Sequence, residues 1–176
     1  MYAPAAHPAR LSSLVWALCA VLVGAFLLCA PAPSAHAANV GSADPLALDL
    51  LALINGERVA VGLPPLAVDA GADQVALLRA EDMAAAGYFA HVNQHGIDAA
   101  TLLRDRAVAH TIMGENIARS IRSPEWSTTA TLRLVHDALM RSPEHRDNVV
   151  DERFRGVGIG IAEAEGWTYF AIVFVD

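Results

Sequence analysis

Apolar residues recur every three or four positions in the first half of the chain, which is the period of an amphipathic α-helix. The first such stretch contains Leu46, Leu50 and Ile54. Asp44 precedes it as a candidate N-cap, and Gly62 stands where a helix commonly stops. The pattern therefore predicts a first helix between these two residues.

A second helix is predicted from Asp69 to about Ala86, with Gly87 as its C-terminal stop. Its apolar positions are predicted to face the core: Val75, Leu78 and Met83. Its charged positions are predicted to face largely outward: Arg79, Glu81 and Asp82. The aromatic pair Tyr88–Phe89 follows directly, and such bulky side chains are expected to anchor the next loop in the core. That loop carries His91, which would thereby be held in a fixed place.

Two further helices are predicted downstream. A short one begins at Asp98, and another begins at Ser123-Pro124. The second of these has an apolar stripe: Leu132, Val135 and Leu139. Pro143 ends this helix or begins a new turn, so His145 is predicted to lie at a helix terminus.

The C-terminal part changes to the period of β-strands. Branched residues alternate there with small ones between Val157 and Ala162, which leaves one face of the strand almost bare and lets another element approach closely. Glu165-Gly166 supplies a turn, and residues Trp167 to Val175 are apolar on both faces. Helices early in the chain and a doubly buried strand late in it predict an α+β domain whose sheet lies between helical layers.

The N-terminus has the order of an export signal. Arg10 precedes a nearly unbroken apolar run from Leu14 to Ala30, and small residues at Ala35 and Ala37 mark a cleavage site. We therefore divide the chain into a signal peptide (1–37), a short linker (38–45) and one domain (46–176). The apolar run is long enough that retention as a membrane anchor is the alternative.

Both cysteines, Cys19 and Cys29, lie inside the predicted signal, so the mature chain has neither a disulfide nor a thiol for catalysis or metal binding. The chain contains twelve Arg and Lys residues, all of them arginines, and nineteen carboxylates. After loss of Arg10 the net charge is 11 − 19 = −8. An acidic surface without basic clusters argues against nucleic acid or anionic membrane as a partner. A monomer is expected.

The stretch Met113–Ala118 lies between two helical patterns and is interpreted as a loop. It places Glu115 among apolar residues. If the fold brings His91, Glu115 and His145 together, two imidazoles and one carboxylate are available for a divalent metal or for acid/base chemistry. The alternative for Glu115 is that it holds its loop by accepting backbone N–H groups. His95 and His110 are interpreted as exposed loop residues.

Two further candidates lie close to these residues. Glu144 is adjacent to His145, but neighbouring side chains rarely point into one cleft. His136 is interpreted as lying opposite the apolar stripe of its helix.

Five short motifs carry a family resemblance: Asn55-Gly56-Glu57-Arg58 with Gly62-Leu63 and Leu66, Phe89-Ala90-His91 with Gly96, Gly114-Glu115-Asn116-Ile117-Ala118, Ser142-Pro143-Glu144-His145-Arg146-Asp147-Asn148, and Gly156-Val157-Gly158-Ile159-Gly160. In these motifs and their order, residues from about Leu48 to Val175 resemble the cysteine-rich secretory protein, antigen 5 and pathogenesis-related 1 superfamily, the CAP or SCP-like domain of bacterial secreted type. The resemblance implies a three-layer α-β-α sandwich with a central, mainly antiparallel sheet and a surface cleft.

In that family a cleft of two histidines and two acidic residues binds divalent metal in some members. His91, Glu115 and His145 match three of the four positions, whereas Ser142 stands at the fourth and Leu139 replaces a usual aromatic residue nearby. The resemblance therefore predicts a modest metal site, with zinc favoured by the two imidazoles.

The family is associated with binding of lipids and with host interaction more than with one reaction. We therefore expect an exported, non-enzymatic binding module for a lipid, peptide or cell-wall ligand, acting in the periplasm or outside the cell. The alternative is a metal- or histidine-assisted extracellular hydrolase in which Glu115 and His145 are catalytic. A serine hydrolase based on Ser142 is disfavoured because the nucleophile-elbow motif is absent.

Overall fold

The computed structural model of the protein describes residues 44–122 and 128–176. Their helices and strands follow in this order: α1 (Pro45–Ala60), β1 (Ala67–Val68), α2 (Ala70–Ala86), α3 (Ala99–Asp105), β2 (Met113–Ile121), α4 (Thr128–Arg141), α5 (Pro143–Val149), β3 (Gly156–Ala164) and β4 (Trp167–Val175). The predicted export signal and the predicted helix start at Ser123-Pro124 lie outside the described residues. Within the described ranges, no helix combines the length and the apolar character needed to cross a membrane.

The four strands form one sheet in the order β1-β3-β4-β2. β4 pairs antiparallel with β2 on one side and with β3 on the other, whereas β1 adds a short parallel pairing to β3. Glu165 and Gly166 form the tight turn between β3 and β4, both with positive φ (49° and 79°), as two-residue hairpins of this kind require. The predicted mainly antiparallel sheet is confirmed.

Helices cover both faces of the sheet. On one face α1, α4 and α5 bury a cluster that includes Leu50, Leu132 and Phe174. On the other face α2 and α3 pack through Val75 and Leu103 against the opposite side of β4. The strand β4 is therefore buried on both sides, and the predicted α-β-α sandwich is confirmed.

The bare face of β3 is the closest contact between sheet and helix. A Cβ atom added to Gly158 would lie 2.1 Å from the carbonyl carbon of Ala72, and one added to Gly160 would lie 2.1 Å from the carbonyl oxygen of Ala76. Both atoms belong to the backbone of α2, so the glycines set the distance between α2 and the sheet. They therefore also set the distance of Arg79 from the sheet, because Arg79 lies one turn further along α2.

Side-chain caps define the helix starts much as the sequence predicts. Asp69 accepts a hydrogen bond from the amide of Ala72 at 2.8 Å, and Asp98 accepts one from Thr101 at 2.7 Å. Gly87 ends α2 in the left-handed conformation, with φ of 66°.

Two sequence interpretations are wrong on this side of the fold. The stretch Met113–Ala118 is not a loop but the first part of β2, a strand that pairs with β4 over all nine of its residues. Phe89 is not anchored in the core, since it is 40 % exposed, whereas Tyr88 packs against a buried cluster of α2 and the sheet.

Two histidines also differ from their interpretation. His136 is buried and lies on the apolar stripe of α4 rather than opposite to it, four residues after Leu132 and three before Leu139. Among the described residues its Nε2 has no hydrogen-bond partner, and it lies 3.6 Å from a carboxylate oxygen of Glu57. His110 is half-buried rather than exposed, with Nδ1 2.8 Å from the carbonyl oxygen of Val108.

Candidate functional site

The three predicted site residues come from three different elements. His91 lies in the loop after α2, Glu115 lies on β2, and His145 lies in the first turn of α5. Nδ1 of His91 is 2.7 Å from Oε2 of Glu115, a charge-assisted hydrogen-bond distance. The Glu115 side chain is 6 % exposed and the His91 side chain 52 %, so the carboxylate forms the floor and the imidazole the accessible rim.

Arg79 supports this floor from beneath. Its side chain is fully buried, and Nε donates to Oε1 of Glu115 at 3.0 Å. The other nitrogens donate to the hydroxyl of Tyr88 and to the carbonyl oxygens of Ala90 and His91, at 2.7 to 2.9 Å. Burial by itself lowers the pKa of Arg79, but the Glu115 carboxylate and the Tyr88 hydroxyl together outweigh burial and raise it. One guanidinium therefore fixes both the carboxylate and the loop that carries His91.

The prediction that Arg79 faces outward is wrong, and the spacing of residues in α2 already indicated that it faces the core. Arg79 lies four residues after Val75 and four before Met83, which places it on the same face of α2 as those two core residues. Its positive charge led to an exposed assignment, since arginine is seldom fully buried without a partner. The partner, Glu115, lies 36 residues away on β2 and is supplied only by the tertiary fold.

Asp82 holds the loop after α2 from its solvent side. It accepts hydrogen bonds from the hydroxyl of Tyr88 at 2.6 Å and from the side-chain amide of Asn93 at 2.9 Å. Burial would raise the pKa of Asp82, but these two hydrogen bonds lower it. The carbonyl oxygen of the Asn93 side chain accepts from the amides of His95 and Ile97, which closes the loop. His91 thus lies on a segment with hydrogen bonds on both sides.

Two asparagines position α5 and His145 against β2. The side-chain amide of Asn116 donates to the carbonyl oxygen of His145 at 2.9 Å, and that of Asn148 donates to Oδ1 of Asn116 at 2.8 Å. Gly114 permits this contact, because a Cβ there would lie 2.8 Å from Oδ1 of Asn148. Sequence reasoning gave neither asparagine a role, although both lie in the motifs that carry the family resemblance.

The opposite end of α5 is fixed by Arg58, which is fully buried. Its Nη1 donates to the carbonyl oxygens of Val149 and Asp151, both at 2.9 Å. Carbonyl groups at the end of a helix lack partners within the helix, so a buried cation there is well placed. Arg58 and Asn116 together determine where α5, and therefore His145, lies.

The two imidazoles influence each other electrostatically. The pKa of His145 is lowered, first because the ring is partly buried and second because His91 lies close enough for their positive charges to repel. Glu144 acts weakly in the opposite direction. The structure therefore brings His91 and Glu115 into contact and places His145 near enough to His91 for electrostatic repulsion.

The remaining predicted candidates lie outside this arrangement. Ser142 is the N-cap of α5 but makes no side-chain capping hydrogen bond. His95 is exposed in the loop after α2, and Glu144 is exposed on α5.

The side chains at this site do not form a preorganised metal-binding site within the described residues. Among residues 44–122 and 128–176, no group of three or more His, Cys, Asp or Glu side chains is arranged to hold a metal ion. Glu115 has both oxygens engaged, one by Arg79 and one by His91. Nε2 of His91 makes no hydrogen bond within the described residues. The arrangement offers two imidazoles at the surface with a carboxylate behind one of them, and the metal site stays a prediction.

Residues 51–175 match the model of a family described as "CAP: Cysteine-rich secretory protein family". A curated relative, the uncharacterized protein YkwD of Bacillus subtilis (strain 168), is 30% identical over 117 residues, which are 66% of this chain and 42% of that protein. The chain thus spans less than half the length of this relative.

Two solved structures are also similar. An extracellular protein containing a SCP domain from Bacillus anthracis str. Ames superposes with a TM-score of 0.62 at 25% identity, covering 74% of this chain and 40% of that one. An outer surface protein from Borrelia burgdorferi gives a TM-score of 0.63 at 18% identity, covering 72% and 89% of the two chains. The second likeness concerns the fold alone.

Proposed function

This chain belongs to the cysteine-rich secretory protein (CAP) family, and on that premise we propose that it is an extracellular binding domain rather than an enzyme. In this proposal His91 and His145 bind a divalent cation, preferably zinc, with modest affinity. The same cleft receives a ligand of the cell exterior: a lipid, a peptide or a cell-wall component. The relative from Bacillus anthracis is described as an extracellular protein, which supports the location.

The hydrogen bond between Nδ1 of His91 and Glu115 is the observation that carries the metal part of the proposal. A metal-binding histidine commonly donates one ring N–H to a carboxylate, which orients the ring and leaves the other nitrogen for the metal. His91 has this arrangement and is half-exposed. Glu115 would then orient His91 without contacting the metal. Water molecules would complete the coordination of a cation held by the two imidazoles.

The same contacts favour binding over catalysis. A general base must be within reach of the proton that it removes. The Glu115 side chain is only 6 % exposed, and its oxygens accept hydrogen bonds from Arg79 and His91 at 3.0 and 2.7 Å. The hydrolase alternative would require a substrate to reach this nearly buried carboxylate, whereas a binding site can use it as the group that orients His91.

We expect His91→Ala and His145→Ala each to abolish measurable zinc binding by the exported protein, as measured by titration calorimetry. His145→Ala should change the free energy of unfolding by no more than about 0.5 kcal/mol. His91→Ala should lower it by about 1 kcal/mol, because it removes a hydrogen bond to the nearly buried Glu115. Glu115→Ala should weaken zinc binding and also destabilise the fold, because it leaves buried Arg79 without its anion. Binding should fade as the pH falls below about 6.5, since protons compete for imidazole nitrogen.

His95→Ala is the matched control, because His95 is a histidine of the same loop whose side chain is exposed and lies outside the site. It should bind zinc like the parent. Parental affinity in both His91→Ala and His145→Ala would contradict the proposed site.

We also expect export with cleavage immediately after Ala37, because small residues at positions 35 and 37 flank the predicted cut. N-terminal sequencing of the protein recovered outside the cytoplasm tests this. A chain that begins at Met1 or Tyr2 in the membrane fraction would establish the retained anchor instead.

A further inference from the structure

The outer edge of β2 presents unpaired backbone groups beyond the histidine site. In an antiparallel pair, successive residues alternate between pointing N–H and C=O at the partner strand and pointing them away. The amide of Arg122 donates to the carbonyl oxygen of Gly166 at 2.8 Å, which fixes the phase of this alternation. With the register of β2 and β4, it follows that Ile117, Arg119 and Ile121 direct both groups away from the sheet.

Only the start of this edge is covered by other parts of the described structure. The outward carbonyl of Glu115 accepts a hydrogen bond of 3.5 Å from the side chain of Asn148 on α5. From Ile117 to Ile121, no described residue provides a hydrogen bond to the outward backbone groups. Ile117 is only 6 % exposed, so the open part of the edge begins at Ala118. An edge strand with free N–H and C=O groups is a template on which another extended chain can pair.

Arg119 lies on this free edge, and two aromatic rings hold its side chain. Its guanidinium lies between two aromatic rings, 5.1 Å from the centroid of Phe89 and 4.4 Å from that of Trp167. Within the described residues it makes no hydrogen bond and no ion pair. Two cation–π contacts thus orient the group while all its N–H donors stay available, which suits bidentate recognition of a carboxylate.

Arg119 differs from three other arginines of the fold, which contact protein oxygens. Arg122, three residues further along, forms an ion pair with Glu163 at 3.2 Å. Arg79 and Arg58 are buried and saturated by protein oxygens. Beside Arg119, Ile121 is 58 % exposed and Phe89 is 40 % exposed, so apolar surface borders the free cation.

We propose that the outer edge of β2, Ala118–Ile121, binds an extended peptide that adds a further strand to the sheet and places one acidic side chain on Arg119. Main-chain pairing would supply affinity, and the carboxylate would set the register. The formal net charge of the chain is −7, which disfavours polyanions and favours a peptide with a single acid among neutral residues. The inference names a partner for the binding domain proposed above but does not depend on the histidine pair.

The competing explanation is that Arg119 protects the edge. Charged side chains on edge strands often prevent unwanted pairing between sheets. In that case, Arg119 would repel added strands or ignore them, and no acidic peptide would bind there.

The test uses a designed probe, the capped peptide acetyl-Thr-Val-Glu-Val-Thr-amide, titrated into isotope-labelled exported protein and followed by NMR of the backbone amides. We expect shifts at the amides of Ile117, Arg119 and Ile121. Changing the glutamate of the peptide to glutamine, or Arg119→Gln in the protein, should each weaken binding about tenfold. Combining the two changes should add little, because both remove the same contact.

Three controls separate strand addition from simpler events. A peptide N-methylated at its glutamate and at both threonines keeps the carboxylate but loses the main-chain donors that face β2 in antiparallel pairing, and it should not bind. Arg122→Gln should leave binding unchanged, since that arginine is already paired with Glu163. Peptide binding should be the same with added zinc and with a metal chelator, so a failure of the metal proposal would not affect this result.

Two outcomes would overturn the proposal. One is the absence of shifts at the three outward amides with the glutamate peptide, which would make Arg119 a protective charge. The other is equal binding of the N-methylated peptide or of sodium acetate, which would reduce the site to general anion attraction. Thermal melts of Arg119→Gln and Arg122→Gln establish that both variants are folded.

Discussion

Arg79→Leu is expected to lower the free energy of unfolding by about 3–5 kcal/mol, the range for breaking a buried ion pair from one side. The leucine would leave the nearly buried Glu115 carboxylate without its cation at 3.0 Å. It would also remove the donors to the carbonyl oxygens of Ala90 and His91. The loop that carries His91 should therefore loosen, and zinc binding should fall along with stability. Urea unfolding and calorimetry measure the two effects.

A double-mutant cycle identifies the cause of the loss. If the penalty arises mainly from the orphaned carboxylate, Arg79→Leu combined with Glu115→Leu should be clearly less destabilised than the sum of the single changes. Arg141→Leu is the matched control, because Arg141 is an exposed arginine of α4, and its effect should stay within about 0.5 kcal/mol. Simple additivity of the two changes, or a cost for Arg79→Leu as small as that for Arg141→Leu, would refute the central role of Arg79.

Gly158→Ala is expected to destabilise the protein by about 3 kcal/mol, at the upper end of the range for overpacking in a core. The added methyl group would meet backbone atoms of Ala72 and Asp73 at 2.1 Å. Backbone cannot rotate away as a flexible side chain can, so α2 must move off the sheet. Because Arg79 lies on α2, the change should also weaken zinc binding from a distance.

Gly56→Ala is the control for this glycine. It lies in α1, where a Cβ would have no atom within 4 Å. Alanine there should raise stability by about 0.5–1 kcal/mol through helix propensity alone. Thermal unfolding of both variants measures the contrast. Equal and small effects at the two positions would show that α2 does not depend on the bare face of β3.

The helices and the C-terminal hairpin could be predicted from local sequence because their determinants are local. Asp69, Asp98 and Gly87 mark helix ends through contacts only a few residues away. The alternation of small and branched residues in β3 was sufficient to predict a closely packed face. In each case the sequence signal lies within one element or at its end, so the local pattern contains the information.

β2 could not be recognised in this way. Its Met113–Ala118 portion combines glycine, glutamate and asparagine, residue types that are depleted in strands. It becomes a strand because β4 offers a partner over its whole length. The polar side chains are tolerated because Arg79, His91 and Asn148 satisfy them from other elements.

The sequence by itself determined the layered α+β architecture, the family and the three residues of the candidate site, since motifs and periods are properties of the chain. Only the tertiary structure decided that Arg79 is buried beneath Glu115, that His136 lies inside, and that Arg119 stands between two rings on a free edge. A charged side chain can be buried only where the fold supplies its counter-charge and hydrogen-bond partners. Those partners lie on other elements, which the local pattern of a sequence does not contain.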